Sequence, residues 1–188
     1  MNVRCALSFL AMAAIAVGCE GDTKKENTNT RENVDDRQAE ILKARSRVSP
    51  TEGNKVFGVV TFFQEEDGVR ILADVGGLTP GKHGFHVHEH GDCSAKDGAS
   101  AGGHFNPTGK KHGGPDSQER HVGDFGNLEA NDIGIARYDR IDKVVSLNGK
   151  NSIIGKSIVI HSGQDDLETD PSGNSGARIA CGVIEAVE

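Results

Sequence analysis

The chain is divided into short runs of β-branched and aromatic residues, and glycine-rich turns separate these runs. Residues 55–63 and 69–75 are two of them, joined by the turn Glu65-Glu66-Asp67-Gly68. Glycine supplies the positive φ that tight turns need, and the 25 glycines among 188 residues are about twice the usual share of roughly 7%. The pattern predicts an all-β sandwich or barrel of antiparallel strands. The eight predicted strands are residues 43–48, 55–63, 69–75, 84–89, 125–130, 134–139, 156–161 and 178–187.

The N-terminus has the composition of an export signal. Residues 5–17 are almost all apolar and follow the positive charge of Arg4, but these 13 residues are fewer than the roughly 20 that a membrane-spanning helix needs. They fit a secretory signal peptide over residues 1–18. The sequence Ala16-Val17-Gly18-Cys19 is similar to a bacterial lipobox, in which Cys19 would carry the lipid. A plain signal peptide that is cut nearby is the alternative.

A linker and a folded domain are predicted to follow the signal. Residues 20–40 contain 11 charged side chains and only two apolar ones. Such a segment cannot bury enough surface to offset the entropy of ordering it. We therefore interpret residues 19–40 as the lipidated Cys19 and a disordered tether, and residues 41–188 as the folded domain. The predicted location is the periplasmic side of a bacterial envelope, with the lipid as the only membrane attachment.

Two of the four cysteines are predicted to form a disulfide. Cys5 is lost with the signal peptide and Cys19 is used for lipid, so Cys93 and Cys181 remain. The periplasm is oxidising, which favours a disulfide between them. Their bond would also fasten the long glycine-rich loop of residues 91–123, because a loop of that length is unusual in a compact domain unless it is functional or cross-linked. Two free thiols are the alternative.

Histidines are concentrated where a metal ion could be bound. His86 and His88 lie at positions i and i+2 of a predicted strand, so their side chains leave the same face about 6.5–7 Å apart. His161 closes a later strand. Imidazole-rich sites suit copper and zinc, and three histidines with one aspartate suit tetrahedral zinc. The remaining candidates lie along the long loop and at its exit: His104, His112, His121 and Asp124.

Five motifs follow one another along residues 43–187. They are Gly84-Phe85-His86-Val87-His88-Glu89, Gly102-Gly103-His104-Phe105-Asn106-Pro107, Lys111-His112-Gly113-Gly114-Pro115, Arg120-His121-Val122-Gly123-Asp124 and Gly173-Asn174-Ser175-Gly176-Ala177-Arg178-Ile179-Ala180-Cys181-Gly182-Val183-Ile184. Together these motifs resemble copper/zinc superoxide dismutase. The early segment Gly91-Asp92-Cys93 and the short later segment at Asp170-Pro171 are similar to the bacterial periplasmic branch of that family. The resemblance implies an eight-stranded, immunoglobulin-like Greek-key β-barrel with long metal-binding and electrostatic loops.

The resemblance also implies a role for each matching residue. One copper and one zinc are expected per subunit, with His104 bridging the two ions and taking part in catalysis. Asp165 would join outer nitrogens of His86 and His112, and Arg178 would attract the anionic substrate beside copper. Cys93 and Cys181 match the disulfide of the family. The implied ligands are His86, His88, His104 and His161 for copper, and His104, His112, His121 and Asp124 for zinc.

The implied reaction converts superoxide to dioxygen and hydrogen peroxide and would protect the cell envelope. A periplasmic copper or zinc carrier without turnover, and a structural or surface-interaction protein, are the rival functions. The formal net charge of −7 argues against a nucleic-acid partner, whose phosphates favour a basic surface. The resemblance leaves monomer and homodimer open. His90 shares the strand parity of His86 and His88, but a solvent-facing position near the strand end is expected for it, and His83 is expected to be structural or exposed.

Overall fold

Alternating burial marks the first strand of the fold, since successive residues of a strand point to opposite faces. The structure is a computed structural model that describes residues 40–188, so the predicted signal peptide, Cys19 and most of the tether lie outside the described residues. Eight strands are present, which confirms the predicted all-β class. They are β1 Lys43–Pro50, β2 Phe57–Glu65, β3 Gly68–Gly76, β4 Gly81–His88, β5 Asp124–Ala130, β6 Ala136–Asp142, β7 Ser157–His161 and β8 Arg178–Ala186.

The strands close into one antiparallel barrel in the order β1-β2-β3-β6-β5-β4-β7-β8. Strands β3 and β6 are neighbours although two strands separate them in sequence, and β4 pairs with both β5 and β7. This is the crossed connectivity that a Greek key produces. Closure leaves no free sheet edge in the barrel, which removes a site for unwanted strand pairing.

Six predicted strand ends were wrong by two or three residues, and the two that differ by three residues lie in β4 and β6. Strand β4 begins at Gly81 rather than residue 84, because Gly81 still has Ala130 of β5 as a partner. Strand β6 spans Ala136–Asp142 rather than residues 134–139, because its pairing with β3 continues as far as Asp142. In both places the partner strand decides where the ladder ends.

Aromatic side chains fill the inside of the barrel. Phe62, Phe85 and Phe125 are fully buried, and burying a side chain of this size stabilises the fold by about 1.5–3 kcal/mol. The rings of Phe85 and Phe125 lie 5.5 Å apart, and Tyr138 packs edge-on against Phe85 at 5.3 Å. The core thus supports the inner side of β4, the strand that carries His86 and His88.

Two long connections lie outside the barrel wall, one between β4 and β5 and one between β7 and β8. The β4–β5 connection contains a short 3₁₀ helix, Ala99–Ala101. A second short 3₁₀ helix, Gly149–Asn151, lies in the connection between β6 and β7. A disulfide between Cys93 and Cys181 joins the β4–β5 loop to β8, with the two Cα atoms 5.7 Å apart. The predicted disulfide is therefore confirmed. Within residues 40–188 we find no helix with the length and apolar character required to cross a membrane.

Candidate metal centre

Strand pairing brings histidines from distant parts of the chain together at one place on the barrel wall. His86 pairs with Val159 of β7 on one side and with Asp124 of β5 on the other. An isolated bridge joins His88 to His104, which pulls the long loop against β4. His161 stands at the end of β7, so His88 Nε2 and His161 Nε2 are 3.4 Å apart.

Two groups of buried side chains result, and each could hold one metal ion. In each group the candidate ligand atoms all lie within 4.8 Å of one another. His104 belongs to both groups. We name each group after the metal that the sequence resemblance predicts for it: the copper group is His86, His88, His104 and His161, and the zinc group is His104, His112, His121 and Asp124.

Three ring nitrogens in these groups are buried without any hydrogen-bond partner. They are Nδ1 of His86, Nε2 of His104 and Nδ1 of His112. A buried polar atom without a partner costs about 1–3 kcal/mol, so three of them in one place require an explanation. Metal ions would supply the missing partners, and the donor sets fit: histidine nitrogens suit copper, and three histidines with a carboxylate suit tetrahedral zinc.

The Asp165 carboxylate orients two of these rings. Nε2 of His86 donates to Oδ2 over 2.7 Å, and Nε2 of His112 donates to Oδ1 over 2.9 Å. A histidine that donates through one nitrogen keeps the lone pair of the other for a metal. Asp165 therefore leaves Nδ1 of His86 and Nδ1 of His112 as the available ligand atoms, and these are two of the three unpartnered nitrogens.

Burial keeps most of the histidines neutral. It lowers the pKa of His86 to about 3 and that of His161 to about 4, because a charged ring loses its hydration in the interior. The pKa values of His88 and His104 are also lowered by burial. A metal ion binds the neutral imidazole, so these four rings are ready to act as ligands at neutral pH.

His112 behaves differently because two carboxylates flank it. Burial alone would lower its pKa, but the Asp165 carboxylate that accepts from Nε2 and the Asp124 carboxylate 3.2 Å from Nδ1 raise the pKa to about 10. Burial would likewise raise the pKa of either carboxyl group, but hydrogen bonds from the histidines hold both pKa values below their usual range. A cation in the zinc group would take the place of the proton on His112.

A sequence model described as copper/zinc superoxide dismutase (SODC) matches residues 56–184. A superoxide dismutase [Cu-Zn] of Paramecium bursaria Chlorella virus 1 is 48% identical over 152 residues, which cover 77% of this chain and 80% of the viral protein. The chain belongs to the copper/zinc superoxide dismutase family. Copper and zinc are the cofactors of this family, and superoxide is its substrate.

Two other relatives have names that place them in the same family. An extracellular superoxide dismutase [Cu-Zn] of Brugia pahangi is 45% identical over 143 residues, 71% of each chain. One of Caenorhabditis elegans is 41% identical over 160 residues, which cover 80% of this chain and 72% of the nematode protein. Among solved structures, that of the clock protein EA4 has a TM-score of 0.74 and 41% identity, with 80% of this chain and 98% of that chain covered.

In this superoxide dismutase, Arg178 lines an open surface cavity of about 780 Å³. It also lies close enough to His88 and His161 for its charge to lower the pKa of both rings. Its Nη1 donates to the carbonyl of Gly98 and its Nη2 to the carbonyl of Gly102, each over 2.6 Å. The Gly102 carbonyl also accepts a hydrogen bond from Nδ1 of His88 over 2.9 Å. One peptide group therefore connects Arg178 to a residue of the copper group.

The two other described histidines of the dismutase belong to neither metal group. The ring of His90 is 61% exposed and lies 3.6 Å from the carboxylate of Glu89. His83 is buried, with Nδ1 2.9 Å from the carbonyl of His161 and Nε2 2.9 Å from that of Thr79. Of the two alternatives that the sequence left for His83, the structural one applies.

The sequence did not predict two residues that support the metal centre of the dismutase, Asn127 and Gly173. Asn127 exchanges two hydrogen bonds with the backbone of Asp165, over 2.8 and 2.9 Å. Gly173 has a φ of +63°, and a Cβ at this position would overlap the Asp165 carboxylate and approach Nε2 of His112 to 2.7 Å. Gly173 is part of a quoted motif, but only the fold shows which side chain it makes room for.

Proposed function

We propose that this dismutase binds copper through the copper group and zinc through the zinc group, and that it protects the cell envelope from superoxide. The observation that supports this assignment best is the position of His104. Its Nδ1 lies 2.7 Å from Asp124 and 3.4 Å from Nδ1 of His121, while its Nε2 is buried without a partner. The ring can therefore offer Nδ1 to a metal ion in the zinc group and Nε2 to a metal ion in the copper group.

Copper, when bound, supplies the one-electron redox chemistry that the reaction needs, whereas zinc has a filled d shell and cannot. Two superoxide ions and two protons give dioxygen and hydrogen peroxide. We assign the movement of one proton per cycle to Nε2 of His104. The contacts of Nδ1 with the zinc group hold the ring in one orientation, so Nε2 keeps its place beside the copper group when it gains or loses the proton.

Arg178 is proposed to draw the substrate anion toward the copper group. A guanidinium stays protonated at every pH at which the enzyme works, so its charge is constant. The two carbonyl groups that hold it use only part of its five N–H donors. Electrostatic attraction of this kind raises association rates by about 10- to 1000-fold, and superoxide dismutase is one of the systems from which that range is known.

The function is tested by loading purified protein with copper and zinc and following superoxide decay by pulse radiolysis. We expect fast second-order removal by the parent and, because the attracting charge is lost, at least about a 10-fold slower rate in Arg178→Ile with unchanged metal content. Arg178→Lys is the matched control that keeps the charge, and it should retain more of the rate than Arg178→Ile. Full metal loading of the parent without turnover would favour a metal carrier instead. An unchanged rate in Arg178→Ile would refute the role of Arg178.

We also propose that the chain is exported and that Cys19 carries lipid on the periplasmic side of a bacterial envelope. The apolar run of residues 5–17 and the small residues before Cys19 support this proposal. The disulfide suits an oxidising compartment, and two of the relatives are named extracellular. A single acylated cysteine with several chains would anchor firmly, because each buried CH₂ contributes about 0.8 kcal/mol.

Growth with a radioactive fatty acid tests the lipid anchor. We expect label on the parent protein and none on Cys19→Ser, because the thiol is the proposed attachment point. Cys5→Ser is a matched control that should stay labelled. Label that persists in Cys19→Ser, or a parent without label, would reject the anchor, and the second result would leave a plain signal peptide.

A further inference from the structure

A buried ion pair lies directly behind the zinc group. Arg120 and Asp142 are 3% and 1% exposed, and Nη2 of Arg120 donates to both oxygens of the Asp142 carboxylate, over 2.7 and 2.6 Å. The Asp142 carboxylate also accepts from the backbone N–H groups of Val144 and Val145. These backbone hydrogen bonds hold the Asp142 carboxylate in place at the end of β6, where it pairs with Arg120.

The other arm of the guanidinium reaches the turn that supplies two members of the zinc group. Nη1 of Arg120 lies within hydrogen-bond distance of three carbonyl oxygens, those of His121, Val122 and Asp124, at 3.2, 3.4 and 3.1 Å. The turn is tight, since the N–H of Asp124 donates to the carbonyl of His121. Three carbonyl groups that converge in this way repel one another unless a cation or donor lies between them.

This arrangement orients the turn as a whole. With its carbonyl groups directed at Arg120, the opposite side of the turn presents the side chains of His121 and Asp124. The N–H of His121 then donates to Oδ2 of Asp124 over 2.9 Å, and Oδ1 of Asp124 lies 3.2 Å from Nδ1 of His121. Arg120 makes no hydrogen bond to a side chain of the copper group. The turn reaches that group only through His104, which belongs to both groups and has its Nδ1 2.7 Å from Asp124, so the effect of Arg120 should fall mainly on the zinc group.

We propose that Arg120, held by Asp142, is a positioning residue that sets the geometry and affinity of the zinc group, with a much smaller effect on copper binding. The inference rests on the proposed zinc assignment of His104, His112, His121 and Asp124. Only arginine can perform this role, because its planar fork reaches a carboxylate and several carbonyl groups at once, whereas the single ammonium of lysine cannot.

The test compares Arg120→Lys with the parent in separate titrations with zinc and with copper, each against a competing chelator. Outer contacts of metal ligands typically change metal affinity by about 10- to 100-fold, so we expect zinc binding to weaken by at least about 10-fold and copper binding to change by less than about threefold. Cobalt(II) bound in place of zinc provides a second readout, since its visible absorption bands report the ligand geometry. These bands should shift in Arg120→Lys.

Arg70→Lys is the matched control. Arg70 also donates to both oxygens of a carboxylate on β6, that of Asp139, through Nε and Nη2, but both side chains are about half exposed. Exposed pairs contribute little, so zinc affinity and the cobalt spectrum should stay as in the parent. If Arg120→Lys does not fold, Asp142→Asn is measured by the same criteria, because it keeps the shape of the carboxylate and removes its charge.

The outcomes separate this inference from the proposed function. Zinc and copper affinities that fall together, or a zinc affinity and cobalt spectrum that do not move, would overturn the positioning role and leave Arg120 as a support of the whole fold. His121→Ala is included to mark the zinc group. If it lowers zinc affinity while Arg120→Lys does not, only the present inference fails. If His121→Ala leaves zinc binding intact, the zinc assignment itself is wrong.

Discussion

His161→Ala is expected to reduce superoxide removal to the uncatalysed background and to prevent copper retention, while zinc binding persists. His161 belongs to the copper group alone, and its Nε2 faces that of His88 at 3.4 Å. Loss of an outer contact of a metal ligand costs about 10- to 100-fold in affinity, so the loss of a ligand itself should exceed about 100-fold. Without copper no group in the site can exchange an electron, since zinc cannot.

The measurement combines metal content by mass spectrometry with pulse radiolysis on protein exposed to equal amounts of copper and zinc. His90→Ala is the control, since it removes a histidine that lies close to the copper group in sequence but has an exposed ring. We expect His90→Ala to match the parent in copper content and in rate. Retention of copper and turnover by His161→Ala, or an equal loss in His90→Ala, would contradict the assignment of the copper group.

Local sequence was sufficient to predict the strands. Each run of β-branched and aromatic residues between glycine turns became a strand, because the period of two and the turn residues act over short distances. The errors at Gly81 and Asp142 arose where a partner strand prolongs the ladder. Neither residue type favours a strand, so no local signal marks these ends.

Site residues were predictable where the chemistry depends on the side chain itself. His86, His88 and His161 could be proposed as metal ligands because imidazole-rich sites suit copper and zinc, and the family resemblance implied copper for these three. The supporting contacts could not be found in this way. Asn127 acts by bonding to the backbone of Asp165, and nothing local distinguishes it from an ordinary polar residue on a strand.

The disulfide is expected to contribute about 4–5 kcal/mol to the free energy of unfolding, so the double variant Cys93→Ser, Cys181→Ser should melt roughly 8–20 °C lower. The reason is that the bond joins residues 88 positions apart, and a long closed loop restricts the unfolded chain strongly. Melting is measured on metal-free protein, because bound ions stabilise the folded state by their own binding free energy. The control is the parent with and without reductant. Reductant should destabilise the parent and leave the double variant unchanged.

The disulfide can act in two ways: it restricts the unfolded chain, and it holds the loop that contacts Arg178 in the folded protein. A comparison of rate and melting separates the two effects. Cys93 lies in the same loop as Gly98 and Gly102, whose carbonyl groups hold Arg178, and Cys181 follows Arg178 on β8. Loss of the disulfide should therefore let the loop move away from Arg178 before the barrel unfolds. On heating, the metal-loaded double variant should lose rate at a temperature below its melting transition, whereas the parent should keep its rate up to melting. If rate and fold are lost together in both proteins, the disulfide acts on global stability alone, and the loop depends on its hydrogen bonds for its position.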